Sequence, residues 1–285
     1  MSQPESRYYA SQRLKLHYVV WGDESLPPLL LIHGRKDHAR NWDRVALALQ
    51  DRFAIYAPDL RGHGDSDWVV GGHYSHPEFV IDVAALVEHL GRSPVTVIGH
   101  SMGAGIALQY AGLYQDRVRR VVAIEGLGPP FRPRRPAPER MRQWIDKTIE
   151  VDRREVRRYP SLEAAARRML EENPRLTPEM AHHLTLHGSR RLEDGSYTWK
   201  FDPYLNIHSP YEFNLEDARE IWHEIRCPVL HIRGADSWGG DPLQDGRAAA
   251  FRDARFVTIQ HAGHWVHHDQ LEQFLAVTQE FLLQD

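Results

Sequence analysis

Residues 94–108 read Pro94-Val95-Thr96-Val97-Ile98-Gly99-His100-Ser101-Met102-Gly103-Ala104-Gly105-Ile106-Ala107-Leu108. The β-branched apolar run before Gly99 reads as a buried strand, and the Ala- and Leu-rich run after Gly103 reads as a helix. Between them lies G-x-S-x-G, the spacing of a nucleophile elbow. A serine at the tip of a sharp strand-to-helix turn is forced into strained backbone angles that only small neighbours permit. Gly99 and Gly103 supply that room, and Gly105 is expected to let the helix lie close to the sheet. The hydroxyl is then held exposed, with the first N–H groups of the helix facing charge that develops beside it.

Outward from this stretch, strands and helices alternate. Leu14–Trp21 alternates and ends at a Gly-Asp turn. Leu29–Ile32 is a continuous apolar run ending at His33-Gly34-Arg35. Asn41–Gln50 is amphipathic, with Asn41 a candidate N-cap, and Phe53–Ala57 is the next strand. The loop Asp59-Leu60-Arg61-Gly62-His63-Gly64-Asp65-Ser66 and a helix from Pro77 to Leu90 lead to the elbow strand. Beyond it, Arg120–Ile124 is a further buried strand that ends in Glu125. From 126 to 226 no convincing strand is found, only two or three helices, roughly over 138–158, 162–173 and 178–187. The alternation returns at Cys227–Gly234 and Arg255–Ile259, and an amphipathic helix spans 269–283. This order predicts an α/β fold with a doubly wound, mostly parallel sheet. The core is expected over residues 1–125 and 227–285, with 126–226 an inserted helical cap.

The 285 residues suffice for a sizeable core, and the apolar and charged fractions, 42% and 26%, are those of a globular protein. A net charge of −4 argues against nucleic acid as a partner. The lone Cys227 excludes an internal disulfide, and the polar N-terminus has no apolar signal region. No apolar run approaches membrane-spanning length. A cytoplasmic protein with a small-molecule substrate and no membrane or nucleic-acid partner is expected, and a homodimer is compatible with the sequence. No cofactor or metal is expected. Among the 18 histidines no carboxylate–histidine set has firm ligand spacing. His183 and His187, four residues apart, read as a solvated helix face.

Three further stations accompany Ser101. Backbone N–H groups after the His33-Gly34 turn are the usual second half of an oxyanion hole, which assigns the hole to the amides of Arg35 and Met102 and leaves His33 a turn-forming role. Ala262-Gly263-His264-Trp265 follows the last strand, where a histidine can reach across to the serine as general base. Its neighbours His261, His267 and His268 read as surface or supporting residues. A carboxylate must hold the imidazole. Asp236 follows the strand ending at Gly234, and Glu125 ends the strand after the elbow helix. Both fall at the carboxyl edge of the sheet, with Asp241 weaker. Trp42, Trp238 and Trp265 beside these motifs, with His100, are candidate substrate-binding residues. Trp144, Trp199, Trp222, Met141, Met169 and Phe201 offer apolar surface to a pocket or to packing. Arg132, Arg134, Arg135, Arg140, Arg142, Arg153, Arg154, Arg157 and Arg158, interleaved with carboxylates, read as a salt-bridged solvated helix rather than an anion-steering surface.

Together His33-Gly34, the 59–66 loop, Gly99–Gly103 and Gly263-His264 make the chain resemble the α/β-hydrolase superfamily, and Gly126-Leu127-Gly128-Pro129-Pro130 is similar to its serine-hydrolase-like branch. The resemblance spans nearly the whole chain. It implies an eight-stranded sheet, a Ser–His–acid triad and a helical cap. Most members place the acid three residues past the glycine that here is Gly234, but Ser237 occupies that place and Asp236 stands one residue earlier. A minority, haloalkane dehalogenases among them, place it 24 residues after the nucleophile, where this chain has Glu125. Asp236 and Glu125 therefore compete, the commoner arrangement favouring Asp236 slightly. A serine at 101 excludes the aspartate-nucleophile chemistry of dehalogenases and epoxide hydrolases. It implies hydrolysis of a carboxylic ester, lactone or thioester, with carbon–carbon bond hydrolysis or a slow-turnover ligand-binding role as alternatives.

Overall fold

The computed structural model describes residues 4–71, 74–128, 135–207, 209–211 and 213–283. Pro129, Pro130, Arg132 and Arg134, singled out above, lie outside them. The chain runs β1 (Glu5–Ser11), β2 (Leu14–Trp21), β3 (Pro28–Ile32), α1 (Asp43–Leu49), β4 (Ala54–Pro58), α2 (His76–Leu90), β5 (Val95–His100), α3 (Met102–Leu113) and β6 (Val118–Ile124). Then come α4 (Ala137–Asp152), α5 (Leu162–Glu172), α6 (Pro178–Gly188), β7 (Ser189–Arg191), β8 (Tyr197–Trp199) and α7 (Leu215–His223). The chain closes with β9 (Val229–Gly234), β10 (Ala254–Ile259), α8 (Val266–Asp269) and α9 (Leu271–Leu282).

Eight strands form one sheet in the order β1-β2-β4-β3-β5-β6-β9-β10. From β4 to β10 the pairings are parallel, and only β1–β2 and β2–β4 are antiparallel. The central strands are apolar throughout because both faces are covered, and their pleat sends alternate residues into two cores. Leu30, Ile32, Val97, Val121 and Ala123 face α2, α3 and α7. Leu29, Leu31, Ile98, Val122 and Ile124 face α1 and α9. A doubly wound sheet is therefore what the sequence pattern predicts and what the chain forms.

Local differences have physical causes. Strand β1 was not expected from its polar sequence. It is an edge strand whose outer residues stay exposed while Tyr9 and Ser11 are buried. Asn41 does not cap α1. The chain makes a short 3-10 turn over Ala39–Trp42, and the Asn41 amide is buried between the Asp37 carboxylate and the His267 ring. Helix α2 begins with a capping box, Ser75 with Glu78, and ends on Gly91 at φ +61. The segment between β6 and β9 contains the strand pair β7–β8, which no periodicity signalled because each strand is only three residues long. At its end α7 lies against α3. A Cβ on Gly112 would come within 2.2 Å of the Ile221 carbonyl, and Trp222 is buried in the core and stacks on Phe251. Among the described residues no helix is long and apolar enough to cross a membrane.

Candidate active site

The register aligns the carboxyl ends of the central strands, Ile32 beside Gly99 and His100 beside Ile124. The loops leaving these ends carry the candidate residues together. Ser101 sits between β5 and α3 at φ +54, ψ −115, and its N–H donates to the Ile124 carbonyl at 2.7 Å. The glycines answer to named contacts. A Cβ on Gly99 would lie 2.4 Å from the Gly103 carbonyl oxygen, and one on Gly103 would lie 2.2 Å from that of Ile32. Gly105, expected to press on the sheet, instead faces the His76 ring, where a Cβ would find 3.0 Å.

His264 lies in the loop after β10. The Gly263 N–H donates to the Asp269 carboxylate at 2.7 Å, and the His264 carbonyl accepts from His100 Nε2 at 2.9 Å. That bond places the His100 proton on Nε2, since a carbonyl can only accept. His264 Nδ1 faces Glu125 Oε2 at 3.6 Å, with the Glu125 side chain 3% exposed. Glu125 Oε1 accepts the Gly234 N–H at 2.7 Å, and Oε2 accepts the Ser237 hydroxyl at 2.7 Å. A Cβ on Gly239 would lie 2.6 Å from Glu125 Oε2, so this glycine keeps the carboxylate's place free.

Asp236 is turned away from this group. Its backbone N–H donates to the Ala262 carbonyl, but its carboxylate is 46% exposed and pairs with Arg175 at 2.8 Å. In this geometry it is Glu125, and not the slightly favoured Asp236, whose carboxylate faces His264. Ser237, the next residue, is the one that reaches the buried Glu125 carboxylate. Asp241 pairs with Arg233 at 3.6 Å and faces neither histidine nor serine.

The turn before Arg35 lies against the nucleophile, for a Cβ on Gly34 would come within 3.4 Å of Ser101 Cβ. His33 holds this turn, as expected. Its Nδ1–H donates to the Gly34 carbonyl at 2.6 Å, and Nε2 accepts the Leu60 N–H at 3.0 Å. The 59–66 loop braces it in turn, since Asp59 accepts from the Ala39 and Asp65 amides and pairs with His17. Burial depresses His33 and holds it neutral, as an acceptor at Nε2 requires.

A cavity of about 310 Å³ opens beside Ser101, with Met102, Glu125, Trp238, Phe213 and Trp222 in its wall. His231 and His76 also line it. Burial pushes His231 down to about 4 and lowers His76, so both present neutral rings. Neither was singled out from the sequence, because a histidine inside a strand or at a helix start carries no signal until its neighbours are known. Of the four substrate-binding candidates only Trp238 lines this cavity, its ring centroid 4.8 Å from that of His264. Trp42 is fully buried and stacks on His267 at 4.6 Å. Trp265 packs on Leu176, Met180 and Leu184. His100 is buried behind His264 and strongly depressed, by burial first and by the neighbouring His264 second. Of these three, His100 contacts the His264 ring, with centroids 4.8 Å apart, and none of the three lines the cavity.

A larger depression, about 560 Å³, runs along exposed α4 and touches none of these residues. Just past the helix, Arg154 pairs with Glu150 and Arg158 with Asp194, both as exposed ion pairs. Among the described residues two histidine–carboxylate clusters bring ligand atoms within 4.8 Å of one another: His17 with Asp59 and Asp65, and Asp43 with His183 and His187. Neither includes Ser101 or His264, and His183 meets Asp43 at the start of α1 while 31% of its side chain stays exposed.

Comparison with known proteins agrees with this architecture. The chain is 28% identical over 282 residues to a serine hydrolase-like protein of Danio rerio, covering 94% of this chain and 85% of that one. It is 26% identical over 276 residues to an esterase of Mycobacterium tuberculosis, covering 92% and 84%. The thioesterase domain from the curacin biosynthetic pathway superposes with a TM-score of 0.88 at 22% identity, over 98% of this chain and all of that one. The profile of the alpha/beta hydrolase fold matches residues 27–271. With that sheet, that elbow and these relatives, the chain belongs to the alpha/beta hydrolase fold family and is a hydrolase of that type.

Proposed function

We propose that this hydrolase cleaves a small carboxylic ester, lactone or thioester through an acyl-enzyme, with Ser101 as nucleophile, His264 as general base and Glu125 as the acid of the triad. The observation that carries the reading is the buried Glu125 carboxylate facing His264 Nδ1 at 3.6 Å, with the strained Ser101 elbow on the same sheet edge. Ser101 Oγ attacks the carbonyl carbon as its proton passes to His264 Nε2, and Glu125 stabilises the imidazolium that forms. The tetrahedral oxyanion is met by the amides of Arg35 and Met102, the latter free for it as a first-turn helix N–H. Collapse expels the alcohol or thiol with the proton from His264. Water activated by the same ring then releases the acid.

The cavity volume favours a small substrate, at the low end of ligand sites. Its aromatic wall favours an apolar acyl group, and the neutral His231 and His76 rings offer hydrogen bonds without charge. We assign the cap to the described residues between β6 and α7, since α7 itself packs with the core. The test is labelling with a fluorophosphonate, read by peptide mass, beside hydrolysis of p-nitrophenyl esters of graded chain length. An adduct at Ser101 and faster turnover of the butyrate than of the laurate are expected. A folded protein that forms no adduct there would overturn the assignment.

A further inference from the structure

Helix α6 presents His183 and His187 one turn apart, so both rings leave the same face, with centroids 4.8 Å apart. That face meets the start of α1. His183 Nε2 lies 3.3 Å from Asp43 Oδ2, and one ligand atom from each of the three residues lies within 4.8 Å of the other two. Asp43 is largely buried, whereas the His183 side chain keeps 31% exposure, which leaves the group open to water on one side. We propose that Asp43, His183 and His187 form a binding site for a divalent transition metal of the zinc class, tying α6 to α1.

Two imidazoles and one carboxylate suit zinc, cobalt or nickel, while magnesium and calcium prefer all-oxygen sets. The spacing fits as well. Ligand atoms on a tetrahedral zinc with bonds of about 2.0–2.1 Å stand roughly 3.3 Å apart, the separation seen between His183 Nε2 and Asp43 Oδ2. The His187 ligand atom, within 4.8 Å of the other two, must close to about the same spacing on binding, and a water completes the fourth position. Arg40 grips Asp43 with Nε on Oδ1 at 2.7 Å and Nη2 on Oδ2 at 2.6 Å, and its carbonyl lies 3.2 Å from His183 Nε2. Arg40 Nε also lies 2.9 Å from Oδ2, so a metal at that oxygen must displace one of the two Arg40 N–H groups, and the positive charge lowers the affinity for a cation. The other cluster offers no such opening. The Asp59 carboxylate takes two backbone amides and His17, and Asp65 is paired with Lys200.

This inference does not rest on the proposed reaction, because none of the three residues touches the candidate active site. The test is calorimetric titration of the tag-free chain with ZnCl2, with MgCl2 as control, and thermal unfolding in both salts. One strong zinc site per chain and no magnesium site are expected. Saturating zinc raises Tm by roughly 5 °C at about 100 times Kd. His183→Ala/His187→Ala abolishes that site, and Arg40→Gln tightens it by roughly tenfold as the competing charge goes. Absence of zinc binding at millimolar concentration, or binding unchanged in the double variant, overturns the proposal. Should the double variant not fold, an anomalous difference peak at the zinc edge in wild-type crystals decides: density between the three side chains supports the site, and a peak elsewhere refutes it.

Discussion

Replacing Glu125 by Gln tests the assignment of the triad acid most directly. The carboxylate lies 3.6 Å from His264 Nδ1 with its side chain 3% exposed. When Ser101 attacks, a unit positive charge forms on the imidazole. At that separation and an effective dielectric constant of about 20, the attraction is on the order of 4–5 kcal/mol, or roughly a thousandfold in rate. The amide of Gln keeps the shape and can keep the Gly234 N–H bond through its oxygen. Its NH2 group would then face Nδ1 and hold the proton on Nε2, the nitrogen that must accept from Ser101. The expected fall in kcat/KM on p-nitrophenyl butyrate is therefore about a thousandfold or more, with the protein still folded by circular dichroism. Asp236→Asn is the paired control. Its exposed ion pair with Arg175 contributes at most about 1 kcal/mol to stability and sits outside the group, so activity should stay within about twofold. If Asp236→Asn lost as much as Glu125→Gln, or Glu125→Gln lost less than about tenfold, the assignment of Glu125 would fail.

Other consequences follow from the same contacts. Gly239→Ala places a methyl 2.6 Å from Glu125 Oε2 and should lower kcat/KM by roughly 10- to 100-fold while leaving the Tm within a few degrees, since only a side-chain end must move. Asp82→Ala leaves the Arg61 guanidinium buried without its bidentate partner and should cost about 3–5 kcal/mol in urea unfolding. Stability should also fall steeply in mild acid. Burial pushes His38 and His63 down to about 3 and His231 to about 4, so the unfolded chain takes up protons below about pH 6.5 that the folded protein refuses. Asp37, raised to about 8 chiefly by burial, acts oppositely: it is protonated in the folded protein and stabilises it more as pH falls toward 4. His187 and His268 are depressed likewise, to about 4 and about 3, so the histidines outweigh the one carboxyl and the urea midpoint should fall steadily from pH 6 to 4.5. Urea midpoints that stay level from pH 7 to 4.5 would show that these rings titrate freely in the folded state.

What the sequence determined alone is what depends on local pattern. Apolar β-branched runs alternating with amphipathic stretches specify a sheet covered on both faces, because each strand must bury two sides and each helix one. The Gly99–Gly103 spacing specifies the elbow, because only glycines fit where a Cβ would strike the Ile32 and Gly103 carbonyls. The residues that meet across the sheet were not legible in the same way. Whether Glu125 or Asp236 faces His264 turns on the direction each side chain takes, which periodicity does not encode. Trp42 and Trp265 lie beside motif residues in the chain yet pack away from the cavity, while His231 and His76, far from any motif, line it. His183 and His187 read as an ordinary helix face until folding sets Asp43 against them, 140 residues from His183 in sequence and 3.3 Å away in space. The sequence determines which backbone shapes are allowed. Only the tertiary structure decides which side chains end within reach of one another, because that depends on contacts between segments no local pattern connects.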